Sequence, residues 1–314
     1  MITQRFTENS QRHTEVFEKS TSVKQLFCWI FYFQCLSESL CLLCALCVAV
    51  FEKVSGSEIV IRMQSVKAVQ RIANDLLSVG VRRGGVLLVH SSLRSLGRVP
   101  GGPETVIQGL LTGLGPKGTL LMPALSYEHV TPANPTFDVL RTRSNIGAIA
   151  EFFRTRPGTR RSVHPTHSVC GVGRLADALL QAHHLDSTPC GPHSPFRLLP
   201  EHGGQILMLG CGLRPNTTMH AIEELVEPPY LFGPTQLYQF VFPDGQTKEK
   251  VYRIHNFAGW AQRYDRVEAL LNSDGLKRGS VLAADVFLLE SRALWEAVLA
   301  ALQNDPLHLV EEIG

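Results

Sequence analysis

The segment Val86-Leu87-Leu88-Val89-His90-Ser91-Ser92-Leu93-Arg94-Ser95-Leu96-Gly97 decides the fold, because four consecutive apolar residues run directly into hydroxyls and a glycine. A short apolar run bounded by turn residues reads as a strand buried on both faces. Upstream, residues 65–79 carry apolar side chains at Val66, Val69, Ile72, Ala73, Leu76 and Leu77, a helical stripe that stops at Gly80. Downstream, Pro100-Gly101-Gly102-Pro103 leads into helical spacing over 105–114, Gly115-Pro116 ends it, and Thr119-Leu120-Leu121-Met122 is again strand-like. Strand, loop, helix and strand in this order predict a single α/β sandwich domain with a mixed, partly parallel sheet. Ligands of such sheets gather beyond the carboxyl ends of the strands.

Further along, residues 205–209 supply another buried strand. Residues 237–242 and 251–254, joined through Pro243-Asp244-Gly245, predict an antiparallel hairpin. Helices are expected at about 257–271 and 284–302. Neither a repeat nor a low-complexity linker breaks this main body.

With 44% hydrophobic residues and a formal net charge of +2 over 314 residues, the composition is that of an ordinary soluble globular chain. Lysine and arginine do not cluster, so the electrostatic footprint of a nucleic-acid binder is missing and an anionic ligand must be met by a few local groups. Five of the eight cysteines fall before residue 50, leaving Cys170, Cys190 and Cys211, which make no disulfide framework. A cytoplasmic location is expected. Cys41, Cys44 and Cys47 have CxxCxxC spacing, but in an apolar run without a histidine to complete a metal site.

Residues 26–51 are almost wholly apolar and approach the ~20 residues that cross a bilayer. Arg5, Arg12, Lys19 and Lys24 before the run outnumber Lys53 and Arg62 after it, which would export the main body, and Glu38 would lie inside the span. The expectation is therefore no membrane span. Residues 1–58 are expected to be an extension, loosely ordered or derived from an upstream start, preceding a complete domain over 63–314.

Three clusters carry chemistry. After Leu209-Gly210-Cys211-Gly212 comes Asn216-Thr217-Thr218-Met219-His220-Ala221-Ile222-Glu223-Glu224, where hydrogen-bond donors precede a histidine and an acid three apart. If Thr217 or its neighbour caps a helix, His220 and Glu223 share a face, the geometry of a histidine base held by a carboxylate. Glu224 and Glu227 add negative charge that would suit a cationic amine, and Cys211 reads as a packing cysteine rather than a nucleophile. The loop from Ser91 to Gly102 has hydroxyls, glycines and no carboxylate between a strand and a helix, which suits phosphate or an amide chain, though it matches no Walker or dinucleotide pattern. In Arg160-Arg161-Ser162-Val163-His164-Pro165-Thr166-His167-Ser168, two histidines flank a proline-fixed bend. They read either as a substrate-side polar cluster or as solvated loop residues. A third reading joins His164 and His167 to His220 as the metal site of a metal-dependent hydrolase.

From about residue 63 to 310 the chain resembles the antibiotic N-acetyltransferases, the aminoglycoside 3-N-acetyltransferase family. The motifs that carry the resemblance are 89–97, Gly101-Gly102-Pro103-Glu104-Thr105, 115–123, Arg161-Ser162-Val163-His164-Pro165, Ser194-Pro195 and 216–223. The resemblance implies transfer of acetyl from acetyl-CoA to a primary amine, without a metal. By it, Ser91, Ser92, Leu93, Gly97, Gly101 and Gly102 lie along the cofactor. His220 is the general base, Glu223 orients it, Thr217 donates to the thioester oxygen, and His164 stands beside the same cavity. Between Tyr127 and Gly147 the chain is short where many resistance members carry a tryptophan-rich insertion that walls the antibiotic pocket. The expected partner is therefore a small amine, an aminoglycoside or a related amino sugar, with a homodimer left open.

Overall fold

The computed structural model describes residues 56–313. The chain divides into two units, Met1–Val60 and Ile61–Gly314. The apolar stretch 26–51, with its cysteines, lies outside the described residues. No helix among the described residues is long and apolar enough to cross a membrane.

In the second unit a seven-stranded sheet forms the spine. Its strands are β1 (Val86–Ser91), β2 (Thr119–Pro123), β4 (Arg160–Arg161), β5 (Val169–Gly173), β6 (Gln205–Leu209), β10 (Leu276–Val281) and β11 (Ala284–Glu290), in the order β10-β11-β6-β1-β2-β5-β4. The three central strands, β6, β1 and β2, are parallel, and antiparallel pairs extend the sheet on both sides. The expected mixed α/β sandwich is present.

Alternation along the buried strands explains the two cores. Val86 and Leu88 of β1, with Ile206 and Met208 of β6, enter one core; Leu87 and Val89, with Leu207 and Leu209, enter the other. Helices α1 (Gly56–Val79), α2 (Gly102–Leu114) and α3 (Ala148–Thr155) contribute to the second core through residues such as Ile72, Ile107 and Phe153. On the opposite face, α4 (Thr218–Val226) and α5 (Ser291–Asn304) pack Met219, Ile222, Leu294 and Val298. Helices α1 and α2 approach closely because Gly109 has no side chain: a Cβ there would stand 2.5 Å from Ile72 Cγ2.

A second sheet joins β3 (Thr136–Asp138), β7 (Phe232–Val241) and β8 (Thr247–His255), the last two being the expected hairpin. β9 (Trp260–Gln262) pairs with β12 (Val310–Glu312).

Two expected helices are corrected. Over 257–271 the backbone forms β9 and a 3-10 turn, Tyr264–Ala269, because Phe257 at φ 50° and Gly259 at φ 80° take left-handed conformations that a helix cannot start from. Over 284–302 the first half is β11, whose Val286 to Leu289 pair with β6, and only from Ser291 does the chain become helical. Strand β10 was not foreseen, since Lys277-Arg278-Gly279 interrupts its apolar pattern.

Candidate active site

The carboxyl end of β1, the loop after β6 and the first turns of α4 wall a cavity of about 560 Å³. His90 and Ser91 come from β1, Cys211 and Arg214 to Thr217 from the loop, and His220 from α4, with His255, Phe257 and Tyr264 packed against the His220 ring. The loop ends in a cap that leaves chemistry free. Asn216 Oδ1 accepts the Thr218 amide at 3.2 Å, whereas Thr217, the residue before the helix, makes no capping bond with its side chain. Two donors therefore reach the cavity wall: the Thr217 hydroxyl and the Asn216 Nδ2, which is buried without a partner.

His220 and Glu223 meet on one face of α4, with Nδ1 3.0 Å from Oε2. Glu223 is fully buried, and two further donors satisfy it: Tyr230 OH gives Oε1 a bond of 2.8 Å and Tyr264 OH gives Oε2 one of 2.8 Å. Burial and the Glu223 charge push the Tyr264 hydroxyl well above its ordinary range, so it remains a donor. With both carboxylate oxygens accepting, the network assigns the His220 proton to Nδ1 and leaves Nε2 as the basic nitrogen.

Around His220 stand other imidazoles. His255, the last residue of β8, lies 5.0 Å away between ring centroids, and His167 lies 5.9 Å away. Burial first, then neighbouring imidazolium charge, lowers His167 and His255 well below the usual histidine range, and lowers His90 to about 3. Glu224 is spent on His255 Nε2 at 2.8 Å, the Cys190 amide at 2.7 Å and the Thr188 hydroxyl at 2.6 Å. Glu227 pairs with Arg253. Neither acid lines the cavity, contrary to expectation. Burial raises Cys211, which does line it, to about 11, which suits packing better than nucleophilic attack.

His164 stands behind the cavity wall, its ring 5.8 Å from that of His167, which lines the cavity. Its Nδ1 accepts the amides of Thr166 at 3.2 Å and His167 at 2.9 Å, which turns the ring away to stack on His183, 4.9 Å between centroids. It does not line the cavity, so His164, His167 and His220 do not assemble the hydrolase set. Of the six residues expected on the cofactor, Ser91 alone lines the cavity; Ser92, Leu93, Gly97, Gly101 and Gly102 follow the bend to the start of α2. That bend is tied down: Ser92 donates its amide to Leu209 at 2.9 Å, and Ser95 donates its hydroxyl to the Gly210 carbonyl at 2.6 Å.

Tyr230, His255 and Tyr264 had no local signal. Tyr230 reaches Glu223 from seven positions beyond it, just past the end of α4, whereas His255 and Tyr264 meet the His220 cluster only after the chain has run through the second sheet, Tyr264 lying 44 positions beyond His220.

A family model described as aminoglycoside 3-N-acetyltransferase matches residues 88–303. Aminoglycoside N(3)-acetyltransferase IV of Salmonella sp is 32% identical over 240 residues, covering 75% of this chain and 87% of the relative. Among solved structures, the apoenzyme of aminoglycoside acetyltransferase AAC(3)-IVa superimposes with a TM-score of 0.64 at 30% identity, over 77% of this chain and 90% of that one. A binary complex of AAC-IIIb with CoASH gives 0.65 at 30% identity, over 74% and 95%. An AAC(3)-IVa mutant in complex with apramycin gives 0.62 at 31%, over 76% and 92%. On this evidence the chain belongs to the aminoglycoside 3-N-acetyltransferase family, a family of acyltransferases.

Proposed function

We propose that this protein transfers an acetyl group from acetyl-CoA to a primary amine of an aminoglycoside or a related amino sugar, by direct attack in a ternary complex with His220 as general base. The observation that carries the proposal is the His220–Glu223–Tyr264 network on the wall of a cavity next to the end of β1. The CoASH and apramycin held by two relatives supply the chemical classes of donor and acceptor.

As the amine nitrogen bonds to the thioester carbonyl carbon, His220 Nε2 takes its proton. Thr217 Oγ1 and Asn216 Nδ2 donate to the carbonyl oxygen while charge builds there. Cleavage of the carbon–sulfur bond releases the CoA thiolate, and the imidazolium returns the proton to it. Glu223 stabilises the imidazolium, and the hydroxyls of Tyr230 and Tyr264 fix its position. Ser91 and the bend behind it would hold the pantetheine arm. The acetyltransferase domain is residues 63–314, residues 1–58 are an extension outside it, and the enzyme acts in the cytoplasm.

The test is product formation from acetyl-CoA and a panel of aminoglycosides and amino sugars, read by mass spectrometry. His220→Ala lowers kcat by about 10²- to 10⁴-fold and leaves acetyl-CoA affinity by calorimetry near wild type. Full turnover in that variant removes the base assignment. Absence of both product and acetyl-CoA binding in the wild type removes the function.

A further inference from the structure

We propose that His167, His220 and His255 form a binding site for a zinc-class divalent transition-metal ion, and that an ion held there blocks the catalytic base. The three residues come from separate parts of the chain, a loop, α4 and the end of β8. One ring nitrogen of each lies within 4.8 Å of the other two.

The hydrogen bonds identify which nitrogens those are. His167 Nδ1 is taken by Thr166 Oγ1 at 2.8 Å, His220 Nδ1 by Glu223 at 3.0 Å, and His255 Nε2 by Glu224 at 2.8 Å. That leaves His167 Nε2, His220 Nε2 and His255 Nδ1. The last is buried with no hydrogen-bond partner at all. An imidazole whose far nitrogen is fixed by an oxygen, most often a carboxylate, presents its other lone pair to a metal. Consecutive acids serve two different rings in this way, Glu223 backing His220 and Glu224 backing His255.

Three imidazoles and no carboxylate ligand select zinc and its neighbours over magnesium or calcium. All three rings line the cavity, so a fourth coordination position faces it. Metal–nitrogen bonds of 2.0–2.1 Å put tetrahedral nitrogens about 3.3 Å apart, so the ion draws the rings inward. A lone pair on His220 Nε2 engaged by the ion cannot accept the amine proton. The blocking half of the proposal rests on the acetyl-transfer reading; the binding half does not.

The experiment uses the full chain stripped with EDTA and titrated with zinc chloride by calorimetry, with magnesium chloride as control, and with cobalt(II) followed by its visible spectrum. The full chain is expected to take up one zinc that both His255→Ala and His167→Gln lose, and that Glu224→Gln binds about 10- to 100-fold more weakly. Cobalt is expected to give a tetrahedral spectrum without thiolate bands, which separates this site from the cysteine run at 41–47. Zinc uptake and cobalt spectra that persist unchanged in both histidine variants, with circular dichroism showing them folded, overturn the site. Turnover is read as acetylated product by mass, because zinc binds the released thiol. Loss of turnover on zinc addition and recovery with EDTA carry the blocking role, and undiminished turnover in zinc-loaded protein overturns it. Zinc bound at the three histidines in a protein that acetylates nothing supports the site and counts against acetyl transfer, so the two failures are distinct.

Discussion

Tyr264 donates its hydroxyl proton to Glu223 across 2.8 Å while lying 2.9 Å from His220 Nδ1, so one phenol touches both members of the proposed base pair. Hydrogen bonds to charged groups contribute about 1.5–3 kcal/mol. Tyr264→Phe removes this one from a carboxylate that has no solvent to replace it. Turnover is expected to fall by roughly 10- to 100-fold, with the acid limb of the pH–rate profile displaced and acceptor KM little changed. A variant with the wild-type profile and kcat would show that Tyr264 only packs.

The free hydroxyl of Thr217 gives a second prediction. Asn216 caps α4 in its place, so Thr217→Val keeps shape and helix while deleting one donor from the cavity wall. Loss of a donor to a developing oxyanion costs about 2.7–4 kcal/mol, or 10²- to 10³-fold in kcat. Steady-state kinetics at saturating acetyl-CoA measure it. An effect confined to KM would assign Thr217 to substrate binding instead.

How legible the site was depended on distance along the chain. His220 and Glu223 sit three apart on one helix, and helical geometry alone put them together. The strands around β1 were legible for the same reason, since Val86 to Val89 are buried on both faces and need no polar alternation. Tyr264 and His255 reach the same spot by tertiary return and Tyr230 by the turn just after α4, and no periodic pattern encodes either. Which way the His164 ring faces is set by two backbone amides of its own bend, a detail invisible in residue types. The 284–302 stretch misled because an apolar strand feeding directly into an apolar helix leaves no punctuation between the two periods.

Gly101 is the position in the bend between β1 and α2 where a side chain is least tolerable. Its φ is +79°, and a Cβ would lie 2.4 Å from Thr105 Oγ1 and 2.9 Å from Ser65 Oγ. Gly101→Ala is expected to cost about 1–3 kcal/mol of stability, read as a lower urea midpoint at constant slope. If the bend holds acetyl-CoA, its KM rises as well. A midpoint equal to wild type would mean that the bend relaxes freely and does not preorganise anything.

At the rim of the cavity, Arg214 and Arg263 both donate to Asp265. Hydrogen bonds from Arg263, followed by those from Arg214, lower the Asp265 carboxyl to about 2. An unfolded aspartate titrates near about 3.9, above the folded value. The carboxylate therefore contributes its stability fully above about pH 4 and loses it as pH falls through about 2. Thermal melts of wild type and Asp265→Asn between those limits are expected to converge as acid is added, with the variant the less stable near neutrality. Parallel curves across the window would mean that solvent screening at this exposed rim cancels the pairing.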